Sequence, residues 1–172
     1  MARAGQGAAE NAGAAAARGL VRRLAAASRM MVLAESCTGG LAADLIARIP
    51  GASRVLWGSF VVYTPEAKAG MLGLDRGLLE KYGAVSRETA CALAAGALEK
   101  SGVYLAAAVT GLAGPAGDGS AVPVGTVWIA TAIRGGEAAA AVFHFQGSRN
   151  GVRISAAAAA LEEALKRLDE AA

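Results

Sequence analysis

The stretch from Met30 to Ile49 constrains this chain most. Met30 to Ala34 is a short apolar run that reads as a buried strand. It leads directly into Glu35-Ser36-Cys37-Thr38-Gly39-Gly40, and Leu41 to Ile49 then has helical composition up to Pro50-Gly51. A strand, a polar glycine-containing turn and a helix in succession gather side chains and free backbone N–H groups at the strand's end.

The same alternation continues. Val55 to Tyr63 reads as a strand, followed by a short helix carrying Lys68, with Thr64 as its cap and Pro65 at the first helical position. Asp75 is placed to cap a helix running to Tyr82, and Ser86 to cap one from Arg87 to Lys100. Val103 to Val109 is a strand, and Thr110 to Pro123 a loop rich in glycine. Val124 to Ile133 and Ala138 to Phe145, joined by Arg134-Gly135-Gly136, read as an antiparallel pair. A helix from about Val152 to Leu168 closes the chain. Early strand–helix alternation with a late hairpin predicts a mixed sheet with helices on both faces.

The 172 residues suit one domain, assigned to residues 14–172 behind a Gly/Ala-rich flexible tail at residues 1–13. Charged residues are only 18%, and alanine is abundant, which favours helix faces packed on a second subunit and hence a homo-oligomer. No apolar run approaches the roughly 18 residues of a membrane span, and Arg22, Arg23 and Arg29 interrupt any signal-like core. Cys37 and Cys91 form neither a disulfide framework nor a close metal pair, so the cytoplasm is the expected location. A net charge of +3 without a basic block gives nucleic acid no evident partner site.

Ser36 needs a base to act as a nucleophile. The only histidine, His144, lies between Phe143 and Phe145 on a strand, and a structural role is the larger share of its reading. Lys68 is the other candidate base, provided burial and the start of its helix lower its pKa; the alternative is a solvated surface lysine. Tyr63 precedes it by five residues and is placed to steer it or relay a proton. Cys37 rivals Ser36 as nucleophile. Glu35 either serves the site or caps the following turn. Thr38, Gly39 and Gly40 offer backbone donors to an oxyanion, although no P-loop pattern is present. Thr110 and Gly111 open a second glycine-rich loop with room for a ligand. Asp118 has no second carboxylate or histidine near it, so no metal is assigned. Arg149 and Arg153 stand four apart, as a phosphate clamp or as a solvated pair. Trp57 and Trp128 are assigned to the core.

Taken together, six ordered stretches resemble the CinA C-terminal domain family, whose stand-alone form is nicotinamide-nucleotide amidase. They are Ala34-Glu35-Ser36-Cys37-Thr38-Gly39-Gly40, Tyr63-Thr64-Pro65-Glu66-Ala67-Lys68, Tyr82 to Ser86, Thr110-Gly111-Leu112-Ala113-Gly114-Pro115, Pro123 to Trp128, and Phe145 to Arg153. The resemblance implies a three-layer α/β/α sandwich with a mixed, mainly parallel sheet. It also implies hydrolysis of nicotinamide mononucleotide to nicotinate mononucleotide and ammonia, without a redox cofactor. By the same resemblance Ser36 is the catalytic serine, Lys68 its base and Tyr63 the assisting hydroxyl, while Thr110 and Arg149 belong to the active site. Glu35, Cys37, Thr38, Gly39, Gly111 and Arg153 complete the expected substrate-binding set. The chain departs from the family at Thr64-Pro65, where Ser-Asn is common, and at Ala121-Val122, where the loop usually carries Glu-Lys. Competing readings are a non-catalytic nucleotide-binding domain, an amidase for another nucleotide amide, and a Cys37–His144 hydrolase.

Overall fold

Strand β1 (Met31–Glu35) lies inside the sheet, and every one of its side chains is buried. Met31 and Leu33 face one apolar cluster, Val32 and Ala34 another, as the period-two geometry of a strand covered on both faces requires. The computed structural model describes residues 2–171, with side chains from residue 6 onward. Its elements in chain order are α1 (Ala2–Ala26), β1, α2 (Leu41–Ala47), a 3-10 turn (Ala52–Arg54), β2 (Leu56–Val61), α3 (Pro65–Leu72) and α4 (Arg76–Tyr82). They continue with α5 (Arg87–Ser101), β3 (Leu105–Gly111), β4 (Thr126–Ile133), β5 (Ala139–His144) and α6 (Arg149–Glu170).

The sheet order is β2-β1-β3-β4-β5. β1 pairs in parallel with β2 and β3, whereas β4 runs antiparallel to both β3 and β5. One strand therefore opposes the other four, which is the mixed and mainly parallel sheet of a three-layer α/β/α sandwich. Helices α1, α2 and α6 cover one face around Leu20, Leu24, Leu33, Ile46 and Leu161. Helix α5, with α3, covers the other around Leu72, Leu93, Ala94 and Ala97. Gly96 of α5 is necessary there, since a β-carbon on it would sit 2.5 Å from the Leu72 carbonyl oxygen. That close approach draws α3, and Lys68 with it, against the sheet.

The chain is helical from Ala2, consistent with the high helix propensity of its alanines. Gly13 lies within this helix and closely approaches Leu45 and Ala158. Two expectations are corrected. Trp57 is not core: its residue is 47% exposed. Met31 pairs with Leu56 and Val32 with Gly58, so Trp57 is the extra residue of a bulge and turns outward, stacked on Phe60. Trp128, by contrast, packs against the α5-side core. Helix α6 begins at Arg149, three residues earlier than its apolar pattern suggests, because Ser148 caps it by accepting from Gly151 N–H.

Candidate active site

The carboxyl end of β1 turns at Ser36 and carries the chain over the sheet. Lys68 reaches the same point from the first turn of α3. Thr64 accepts from Ala67 N–H and Pro65 occupies the first helical position, so the sequence itself sets where that turn begins. Lys68 is only 1% exposed; its Nζ donates to Ser36 Oγ at 2.9 Å and to the Val62 carbonyl at 3.0 Å. Burial is the main influence on its pKa and lowers it to about 8, with Cys37 acting weakly the other way. A neutral lysine is then accessible near physiological pH, with its lone pair free to take the Ser36 proton while one N–H stays on Val62. The surface-lysine reading of Lys68 is overturned.

Ser36 and Lys68 open onto a cavity of about 340 Å³, whose wall also includes Cys37, Tyr63, Thr110, Gly111, Gly114, Asp118 and Arg149. Burial pushes the Cys37 thiol up to about 11, so it carries no appreciable thiolate at neutral pH. His144 is remote from this wall: its Nδ1 pairs with Thr126 Oγ1 at 3.3 Å on the outer edge of the sheet. The pairing required by a Cys37–His144 hydrolase is therefore absent.

Several expected ligand contacts hold the site together instead. Glu35 is fully buried and its carboxylate accepts from Gly40, Ala42 and Ala43 N–H and from Ser59 Oγ. It anchors the amino end of α2, where the helix dipole favours a negative charge, and leaves no lone pair facing the cavity. Gly39 N–H donates to the Ser36 carbonyl and Gly40 N–H to Glu35, so neither glycine supplies an oxyanion donor. Cys37 and Thr38 N–H have no acceptor among the described residues. Thr38 is buried, and its hydroxyl is likewise without a partner among the described residues. Thr110 Oγ1 donates to the Ala84 carbonyl, tying β3 to the Tyr82–Ser86 loop. Gly111 serves packing, because a β-carbon there would lie 2.7 Å from the Thr126 carbonyl oxygen.

The two arginines of α6 part company. Arg149 lines the cavity and donates to the Tyr63 hydroxyl and the Gly114 carbonyl. Tyr63 is thus engaged with Arg149, and no hydrogen bond joins it to Lys68 or Ser36. Arg153 does not line the cavity; it donates from Nε to the Cys37 carbonyl at 3.1 Å and from Nη2 to the Thr38 carbonyl at 2.8 Å. The signal for these bracing roles was weak in sequence, since a carboxylate and an arginine flanking a site read equally well as ligand contacts. Asp118 closes a local turn by accepting from Ser120 N–H and Oγ, and these bonds lower its carboxyl pKa. Among the described residues, no three of His, Cys, Asp and Glu cluster as a metal site, and no helix is long and apolar enough to cross a membrane.

A sheltered serine–lysine pair at the carboxyl end of a central strand defines a site suited to nucleophilic or general-base chemistry. The chain belongs to the CinA C-terminal domain family, which matches residues 14–168. A CinA-like protein of Akkermansia muciniphila is 49% identical over 73% of this chain but over only 30% of its own length. This chain spans about a third of the length of such relatives or less. The nicotinamide-nucleotide amidohydrolase PncC of Enterobacter agglomerans is 43% identical over 77% of this chain and 81% of its own. The crystal structure of competence/damage inducible protein CihA from Agrobacterium tumefaciens superposes with a TM-score of 0.87 and 39% identity, covering 92% of this chain and 96% of that one. A CinA superfamily protein from Escherichia coli gives 0.84 and 35%, with coverage of 92% and 90%.

Proposed function

We propose that this chain hydrolyses the carboxamide of nicotinamide mononucleotide to nicotinate mononucleotide and ammonia. The observation that carries the reading is the 2.9 Å contact between Lys68 Nζ and Ser36 Oγ, made by a lysine withdrawn from water. The likeness to the Enterobacter agglomerans amidohydrolase supports the substrate.

Neutral Lys68 takes the Ser36 proton as Oγ bonds to the carboxamide carbon. The developing oxyanion lies against the Cys37 N–H, which has no acceptor among the described residues and belongs to a residue on the cavity wall. As the tetrahedral adduct collapses, the C–N bond breaks and Lys68 returns its proton to the departing nitrogen, releasing ammonia. Water, deprotonated by Lys68, then cleaves the acyl ester and restores Ser36. Water is the sole co-reactant. Arg149, at the cavity wall, is the group for the nucleotide phosphate, with Tyr63 holding its guanidinium in place. Ser36 and Lys68 thus form the proposed catalytic pair, with Tyr63 a positioning residue that acts through Arg149 rather than as a proton relay. The reaction is assigned to the cytoplasm and to a homo-oligomer.

Incubation with nicotinamide mononucleotide should release equal amounts of ammonia and nicotinate mononucleotide. Ser36→Ala and Lys68→Ala should each lower kcat by at least about 10³-fold, whereas Cys37→Ala should retain most activity. Nucleotide binding without ammonia release would defeat the proposal, as would full activity in Ser36→Ala. Ammonia from a different nucleotide amide alone would move the substrate, not the reaction.

A further inference from the structure

Arg153 was grouped with the ligand contacts, but its donors go elsewhere. Three of them are spent within the protein: Nε on the Cys37 carbonyl, Nη2 on the Thr38 carbonyl and Nη1 on Asn150 Oδ1. It sits one turn into α6, fixed by the Ser148 cap and by Val152, which is buried against the sheet. Its guanidinium therefore reaches the Ser36 turn from the α6 layer, while Lys68 reaches Ser36 from the layer on the opposite face.

The carbonyl it holds belongs to a peptide that also carries one of the two unengaged donors. The Cys37–Thr38 bond is trans, so its N–H points opposite its C=O. Thr38 itself is fully buried and does not line the cavity, so this N–H meets no ligand there; holding the Cys37 and Thr38 carbonyls on one cation instead fixes the turn that carries Ser36 and Cys37. The neighbouring peptide is set similarly: Gly39 N–H holds the Ser36 carbonyl, which fixes the direction of Cys37 N–H. Gly39 turns the chain here with a φ of 60°, a left-handed conformation that favours glycine.

We infer that Arg153 is a positioning residue that, by holding the Cys37 and Thr38 carbonyls, fixes the turn presenting the Cys37 N–H as an oxyanion donor beside Ser36, and that it does not bind substrate. The inference rests on Ser36 acting as a nucleophile, as proposed above, but not on the identity of the amide.

The test separates the two. A fluorophosphonate reacts with an activated serine: the Ser36 Oγ–P bond forms, the P–F bond breaks, fluoride leaves, and the serine proton passes to Lys68. Its phosphoryl oxygen needs the same donors as a tetrahedral adduct. The labelling rate of Ser36, followed by mass spectrometry, is measured for the unmodified chain, Arg153→Met and Arg153→Lys. Hydrolysis of nicotinamide mononucleotide is run alongside. Arg153→Met should slow labelling about 10- to 100-fold, less than the roughly 10²- to 10³-fold loss seen when an oxyanion donor is deleted outright. Arg153→Lys, which keeps a cation but one fewer carbonyl contact, should be intermediate. In turnover the loss should fall on kcat with KM nearly unchanged, and the rise of rate with pH should keep its midpoint, because Lys68 is untouched. Labelling that is unaffected in Arg153→Met, a loss confined to KM, or a Ser36 that never labels in the unmodified chain would overturn the inference. Labelling that depends on Arg153 without nucleotide hydrolysis would sustain it and reject only the proposed substrate.

Discussion

A lysine buried to the depth of Lys68 has two ways to exist: charged, with its desolvation only partly offset by a serine and one carbonyl, or neutral, with the proton given to water. The burial that lowers its pKa to about 8 moves the balance toward the second. The unfolded chain holds that proton up to about pH 10.5, so between about 8 and 10.5 the unfolded state binds more protons than the folded one. Stability attributable to this group therefore rises with pH through that window and is at its lowest below about 8. Two measurements follow. The rate kcat/KM should climb with pH and level off above about 8, as neutral Lys68 accumulates. Lys68→Met, measured at pH 7, should abolish turnover and yet stabilise the fold by about 1–3 kcal/mol, read as a rise in the urea midpoint. A Lys68→Met chain less stable than the parent would mean that the two hydrogen bonds outweigh the desolvation. None of this burial was legible in the residue itself, because a lysine in the first turn of a short helix is usually solvated; its burial is tertiary, and the close approach of α3 to Gly96 of α5 is part of it.

The elements were easier to read than the directions of their side chains. Thr64, Asp75 and Ser86 each cap the helix they were expected to cap, because a short polar side chain before a helical run satisfies an otherwise orphaned N–H locally. The Ser148 cap was missed, since Gly147 and Asn150-Gly151 around it have loop composition. Glu35 is the more instructive case: from sequence it faced the site or capped a turn, and nothing local decided between them. The decision is tertiary, made by Ser59 on β2 and by where α2 starts. Glu35→Gln tests the capping role. Gln keeps the shape, but its amide nitrogen would face N–H donors where the carboxylate oxygen accepted them. That change should cost about 2–4 kcal/mol by urea denaturation, with hydrogen-exchange protection lost first in α2. A change below 0.5 kcal/mol, on the order seen for surface sites, would refute it.

At the scale of the molecule, the question is how much chain the site needs. Helix α1 lies along α6 and closes the layer behind the sheet, with Ala16, Ala17, Leu20, Val21 and Leu24 buried. Its earlier part differs: of residues 6–12, none is buried, and Gly13 begins the contact with Leu45 and Ala158. None of the described residues of α1 lines the Ser36 cavity. Among the residues whose side chains are described, packing thus begins at Gly13, and residues 6–12 continue the same helix without being buried. Removing residues 1–12 should therefore shift the melting temperature by no more than about 2 °C, since none of residues 6–12 is buried. Nucleotide hydrolysis should be unchanged. Removing residues 1–25 should abolish cooperative unfolding, because it strips five buried side chains from a core shared with β1 and α6 and leaves apolar surface that the remaining layers cannot cover. A large loss of stability from the shorter truncation would place residues 1–12 inside the folding unit, through contacts to α2 and α6 across the groove lined by Gln6, Glu10 and Asn11.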